Sequence, residues 1–241
     1  RRGTSVYLPG RCLAMLPERV SSELCCLRPC EDRLAFTVRF VVTRDGGVGR
    51  FKANRSVIHS RRRLTYGEVA AWLERPRGEW PAETAEFAGS LALLAEAAER
   101  LGRARRERGS LDFDLAEPEV RLDERGLVES VRPAERTPAH RLVEELMVTA
   151  NRCVAQLLDK AGQPALHRVH DRPDPIRVGE MRTVLKTPGL RLPDNPRDLS
   201  PAALQGVLAA VAGRPGERLL QTLVLRTLAR ACYSPEPRGH Y

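Results

Sequence analysis

The sequence predicts an α+β fold, with a mixed, largely antiparallel sheet in its first half packed with helices from its second half. Three observations carry that prediction. Over Arg33–Val42, Leu34, Phe36, Val38, Phe40 and Val42 alternate with other residues, the period of a half-buried strand. Two turn sequences, Asp45-Gly46-Gly47 and Asp123-Glu124-Arg125-Gly126, each separate apolar runs and read as hairpins. From Pro138 the spacing becomes helical, with Leu142, Leu146, Ala150, Val154 and Leu157 on one stripe running to Lys160.

Residues 1–17 read as extended, with turns at Pro9-Gly10 and Pro17. Pro17 then opens a short helix over Glu18–Leu24, since proline costs nothing in a first turn. The strand at Arg33–Val42 returns through the Asp45 turn as Val48–Ser60. Thr65 and Glu68 have capping-box spacing ahead of a helix Tyr66–Glu74. A second helix, Ala82–Arg108, places Phe87, Leu91, Leu94, Ala98 and Leu101 on one face. Arg100, Arg103, Arg105, Arg106 and Arg108 crowd its end, where cations suit the helix dipole. Gly109–Asp114 reads as the start of a strand, and Val120–Leu122 with Leu127–Val131 as a hairpin. After the long helix, stopped by Gly162, come a strand Leu166–His170 and a helix that Asp174-Pro175 caps and that runs to Lys186. Helices Pro201–Ala212 and Pro215–Cys232 complete the chain, which reads as one domain, residues 1–241.

Composition narrows the function classes. With 241 residues and 42% hydrophobic content, the chain can bury a core. Apolar stretches such as Leu91–Ala95 fall far short of the ~20 residues of a membrane span. Net charge is +9, and 37 of the 40 basic residues are arginine, since only Lys52, Lys160 and Lys186 are lysine. The excess is shared between the halves, so a polyanion surface has to be assembled by folding. Cys25, Cys26 and Cys30 lie close together, but three sulfurs without a fourth ligand do not make a zinc site. Reduced cysteines and the lack of a signal peptide point to the cytoplasm. An opening without Met, at Arg1-Arg2-Gly3-Thr4, reads as a segment of a longer protein.

Few residues declare chemistry by spacing. Asp112 and Asp114 share a strand face and could hold Mg²⁺ through oxygen, but two exposed carboxylates are as readily just solvated. His167, His170 and Asp171 lack a nucleophile motif beside them and read as structural. Asp45-Gly46-Gly47-Val48-Gly49 opens no helix, so it is not a phosphate loop. On the long helix Glu144 shares a face with Val148 and Asn151. Such a carboxylate and amide can hydrogen-bond a ribose hydroxyl, or simply face solvent.

The ordered motifs say more. Ala139-His140-Arg141-Leu142-Val143-Glu144-Glu145-Leu146-Met147 with Ala150-Asn151 resembles the central helix of the ribonuclease R/ribonuclease II (RNB-type) exoribonucleases. Gly3-Thr4-Ser5-Val6-Tyr7-Leu8-Pro9, Met15-Leu16-Pro17, Leu24-Cys25 with Leu27, and Ser56-Val57-Ile58-His59-Ser60 follow that family's order. So do Leu64-Thr65-Tyr66, Gly109-Ser110-Leu111-Asp112-Phe113, Pro164–His170, Leu220-Gln221-Thr222, Tyr233-Ser234-Pro235-Glu236 and Arg238-Gly239-His240-Tyr241. The resemblance spans essentially the whole chain and is closest to the bacterial ribonuclease R branch.

It implies 3′-to-5′ hydrolysis of single-stranded RNA, processively, to nucleoside 5′-monophosphates with Mg²⁺, by a monomer that touches no membrane. Tyr7 resembles the clamp at the 3′-terminal nucleotide, and Phe113 the ring closing the far end of the base stack. Tyr66 resembles a tyrosine that contacts RNA, and Glu144, beside Asn151, the glutamate that binds the terminal 2′-hydroxyl. Stacking is worth about 1–3 kcal/mol per base and ignores sequence, while the 2′-OH separates RNA from DNA. The family's DxDDA-type metal motif and its TSPIRR-type phosphate segment are both missing here. Asp112-Phe113-Asp114-Leu115-Ala116 imitates the first, but its place in the order is that of the aromatic element. The resemblance therefore implies an RNA channel and clamp without metal ligands or catalytic residues of its own. The alternative is a non-catalytic single-stranded RNA-binding module.

Overall fold

The computed structural model describes residues 4–75, 80–81, 84–111, 113, 118–185, 192–193, 195 and 198–241. It is α+β, and the chain divides into two compact units: Arg1–Arg100 with Ala116–Val154, and Leu101–Leu115 with Ala155–Tyr241. Among the described residues the strands pair as four two-stranded antiparallel ribbons instead of one continuous sheet. Two single parallel bridges, Pro29 with Ser60 and His170 with His240, add to them.

In the first unit, β1 (Val6–Leu8) and β2 (Arg11–Leu13) turn at Gly10, whose φ of 71° needs a residue without a Cβ penalty. The short helix after Pro17 is a π-helix, Arg19–Leu24. Its open C-terminal end is held from outside: Arg33 donates to the carbonyls of Glu23, Leu24 and Cys26. β3 (Asp32–Val42) and β4 (Val48–His59) form a long ribbon with a register shift between Phe40 and Val42. Its alternation is real, but the expected inner face is partly an outer one, since Leu34 is 85% and Phe36 63% exposed.

Thr65 caps α1 (Tyr66–Leu73) with both halves of the capping box present. Val69, Ala70 and Trp72 of α1 form a small core with Ala139, against which Leu64, Leu73, Trp80 and Leu91 pack. That core joins α1 to α2 (Ala85–Glu107) and to α3 (Pro138–Lys160). Between these two helices in sequence, β5 (Pro118–Leu122) and β6 (Val128–Pro133) make the expected hairpin.

α3 has the expected bounds but not the expected face. Its buried residues are Ala139, Leu142, Glu145, Thr149 and Cys153, so the stripe is rotated from the apolar one and carries two polar side chains. Leu146, Ala150, Val154 and Leu157 are only half-buried.

In the second unit, β7 (His167–Val169) pairs with β8 (Cys232–Ser234). The core is apolar: Val178 and Met181 of α4 (Pro175–Val184), with Leu185 and Leu199, meet Leu204, Val207 and Leu208 of α5 (Pro201–Val211) and Val224 of α6 (Glu217–Thr227). Asp174 and Ser200 cap their helices through side-chain oxygens. α6 stops five residues before the expected Cys232, because Cys232 is already in the ribbon with β7. Ser110, Leu111 and Phe113 are not in a strand as expected. The expected same-face carboxylates Asp112 and Asp114 lie outside the described residues.

Candidate nucleic-acid interface

The capping box fixes where Tyr66 stands. Thr65 Oγ1 accepts from the Glu68 amide at 3.3 Å, and Glu68 Oε2 accepts from the Thr65 amide at 2.8 Å and its hydroxyl at 2.7 Å. Those bonds, the Thr65 hydroxyl first, hold the Glu68 carboxyl below its ordinary value. Tyr66 is thereby the first helical residue of α1. Its ring stacks on His140 in the first turn of α3, with centroids 4.0 Å apart and planes 17° apart. His140 is itself fixed, since its Nδ1 lies 2.8 Å from Thr137 Oγ1 and accepts the Thr137 amide at 3.3 Å.

One turn along α3 from His140, Glu144 Oε2 accepts from Arg136 at 2.7 Å, and both side chains remain about a third exposed. Asn151, seven residues further, is exposed. A partly exposed tyrosine ring thus stands near the start of a helix that also presents a carboxylate in an ion pair. Chemically, this places a flat apolar platform and a hydrogen-bond acceptor in one neighbourhood. The fold brings Tyr66 to His140, which sequence alone did not reveal, because the pair is separated by 73 intervening residues. Arg136 was likewise missed, although Arg136-Thr137 lies just before the helix that carries Glu144.

Tyr7 stands on β1 opposite Cys12 and is 81% exposed, a ring with little protein around it. Phe113 is different: it is half-buried and packs against the core of the second unit. Tyr66 and Glu144 are therefore assembled together, whereas Tyr7 and Phe113 are each placed by their own surroundings. Among the described residues no three His, Cys, Asp or Glu side chains gather as metal ligands. The cysteines are all free. No described helix is long and apolar enough to cross a membrane.

Comparison with known proteins adds the family. The model of the RNB domain matches residues 1–241. Ribonuclease R of Aquifex aeolicus is 41% identical over the whole chain, which covers 34% of that protein; ribonuclease R of Escherichia coli is 36% identical, with 29% covered. The chain thus spans about a third of the length of these relatives. Among solved structures, Mycoplasma genitalium RNase R in complex with ribose methylated single-stranded RNA superimposes with a TM-score of 0.88 at 26% identity. That match covers 99% of this chain and 37% of the other. Yeast Ssd1, a pseudonuclease, shares the fold at a TM-score of 0.72 and 19% identity. On the match over its whole length, the chain belongs to the RNB domain family.

Proposed function

We propose that this chain forms the RNA channel and 3′-end clamp of an exoribonuclease that degrades single-stranded RNA from its 3′ end, processively, to nucleoside 5′-monophosphates. The observation that carries the proposal is the assembly of Tyr66, His140, Glu144 and Arg136 at the start of α3. A base can stack on an exposed aromatic ring whatever its sequence. A carboxylate beside it accepts from a ribose 2′-hydroxyl, which DNA lacks. Tyr7 is the clamp on the terminal nucleotide and Phe113 bounds the far end of the base stack, with Asn151 contributing a polar contact. Among the described residues no cluster of carboxylates fits Mg²⁺, so the ion is assigned to ligands upstream of this segment. This chain binds and orients the RNA. The protein is proposed to work as a cytoplasmic monomer.

The test uses the intact protein with Mg²⁺ and 5′-labelled single-stranded RNA and DNA of one sequence. RNA is expected to collapse to a stub of a few nucleotides while DNA persists. Glu144→Ala is expected to narrow that preference by about 10- to 100-fold, the size of a hydrogen bond to a charged group. Tyr7→Ala is expected to change product length. Unchanged discrimination removes Glu144 from the role, and RNA that is bound but left intact favours the binding-module reading.

A further inference from the structure

We propose that the outer end of the β3–β4 ribbon is a contact surface for the phosphate backbone of single-stranded RNA, built from none of the clamp residues. Residues 39–52 hold four basic side chains (Arg39, Arg44, Arg50, Lys52) and one acidic, Asp45, a net +3 within a chain whose total is +9. Charge shared evenly between the halves of the sequence is thus concentrated locally.

The register makes this more than a count. Arg39 lies directly across from Lys52, and Arg50, two residues before Lys52, shares its face by strand alternation. Directly opposed residues stand roughly 5 Å apart at Cβ, and like charges there destabilise a ribbon. Arg39, Arg44, Arg50 and Lys52 are exposed, and none has an ion-pair partner among the described residues. Asp45, already counted in that net charge, is held ionised within its own turn by the Thr43 side chain and the turn backbone. The register shift between Phe40 and Val42 sits under the patch, and such an irregularity bends a strand and increases its twist. A cationic face that opposes its own folding is relieved by a polyanion. Arg55 lies on the other face of the same ribbon, across from Phe36, and so is an internal control.

The proposal takes from the proposed function only that the protein handles RNA. It is tested by fluorescence anisotropy of the intact protein with a labelled single-stranded RNA, without divalent metal, over a series of salt concentrations. Each phosphate contact on a single strand contributes about 0.7 to the slope of log K against log salt. The double variant Arg39→Gln/Lys52→Gln is therefore expected to lower the slope by about 1.4, with Tm unchanged or raised. Arg55→Gln is expected to leave the slope alone.

An unchanged slope in the double variant overturns the proposal, even if the protein degrades RNA. A slope that falls equally with Arg55→Gln overturns the assignment to this face. Vesicles of phosphatidylserine and phosphatidylcholine that bind the parent but not the double variant, with the RNA slope unchanged, would give the surface to a membrane instead. A lowered slope in a protein that leaves RNA intact upholds this surface while the exonuclease reading fails.

Discussion

The start of α3 in the first unit and the α4–α6 core of the second are built from opposite materials. At the start of α3 the contacts are polar and directional: a capping box, a stacked Tyr66–His140 pair and the Arg136–Glu144 ion pair, all partly open to solvent. In the second unit Met181, Leu204 and Val224 are wholly buried. Burial there gains stability with area and asks little of geometry. The polar cluster gains little net stability per contact, because each bond replaces one to water. Its effect is to fix orientation, which is what a binding site needs. Two of the three candidate RNA rings differ in the same sense, since Tyr7 is exposed and Phe113 packs against the core.

Truncating those rings gives the sharpest contrast and the largest expected effect. Phe113→Ala removes an aromatic side chain that packs on buried neighbours, and is expected to destabilise by about 2 kcal/mol, below the 3–5 of a fully buried Phe. Tyr7→Ala is expected to stay within about 0.5 kcal/mol, as for exposed positions in general. Urea midpoints of the two variants measure the difference. Equal costs would erase the distinction between the regions. Phe113→Leu then separates the roles, because it keeps most of the packing and loses the stacking face; RNA handling preserved in it would assign Phe113 to the core alone.

A smaller effect tests whether the polar cluster depends on its cap. Thr65→Ala removes the side chain that accepts the Glu68 amide, and is expected to cost about 1 kcal/mol. Fraying the first turn of α1 also releases Tyr66 from His140, so RNA affinity is expected to fall with it. The cap has a definite pH sign. The carboxyl of Glu68 is held below its ordinary value in the fold, so its contribution is present above that value and lost as pH falls through the lowered one. Thr65→Ala is therefore expected to cost less in acid than at neutral pH, by urea midpoints at both. A cost independent of pH would detach Glu68 from the cap.

How much was legible follows the same division. The Asp45 and Asp123 turns, the Thr65 capping box and the bounds of α3 were readable, because each is a local pattern with a local cause. The face of α3 was not: Glu145 and Thr149 are buried, and periodicity of apolar residues does not anticipate polar side chains turned inward. The end of α6 failed for a related reason. The segment Pro215–Cys232 is helical by local preference, but Cys232–Ser234 pairs with His167–Val169, a partner more than sixty residues away. At the site, Glu144 and Tyr66 were named through the resemblance, whereas His140 as a stacking partner and Arg136 as an ion partner depend on the fold.

The smallest expected effect lies at the edge of the second unit, where polar contacts meet the apolar core. The end of the chain is tied to β7: His170 donates its amide to Gly239, Tyr241 donates its amide back to His170, and the Tyr241 hydroxyl reaches the Leu199 carbonyl at 2.6 Å. The His170 and His240 rings lie 4.5 Å apart. Burial first, then the charges of His240 and Arg168, push the His170 pKa below its ordinary value. The fold thus resists a proton that the unfolded chain accepts. Stability from this site is complete above about pH 6.5 and declines as pH falls through the lowered value. His170→Gln, which cannot take the proton, is expected to flatten the decline of the urea midpoint between neutral and mildly acid pH. A decline as steep as in the parent would show that the tie does not sense protonation of His170, and that the second unit owes its stability to the apolar core alone.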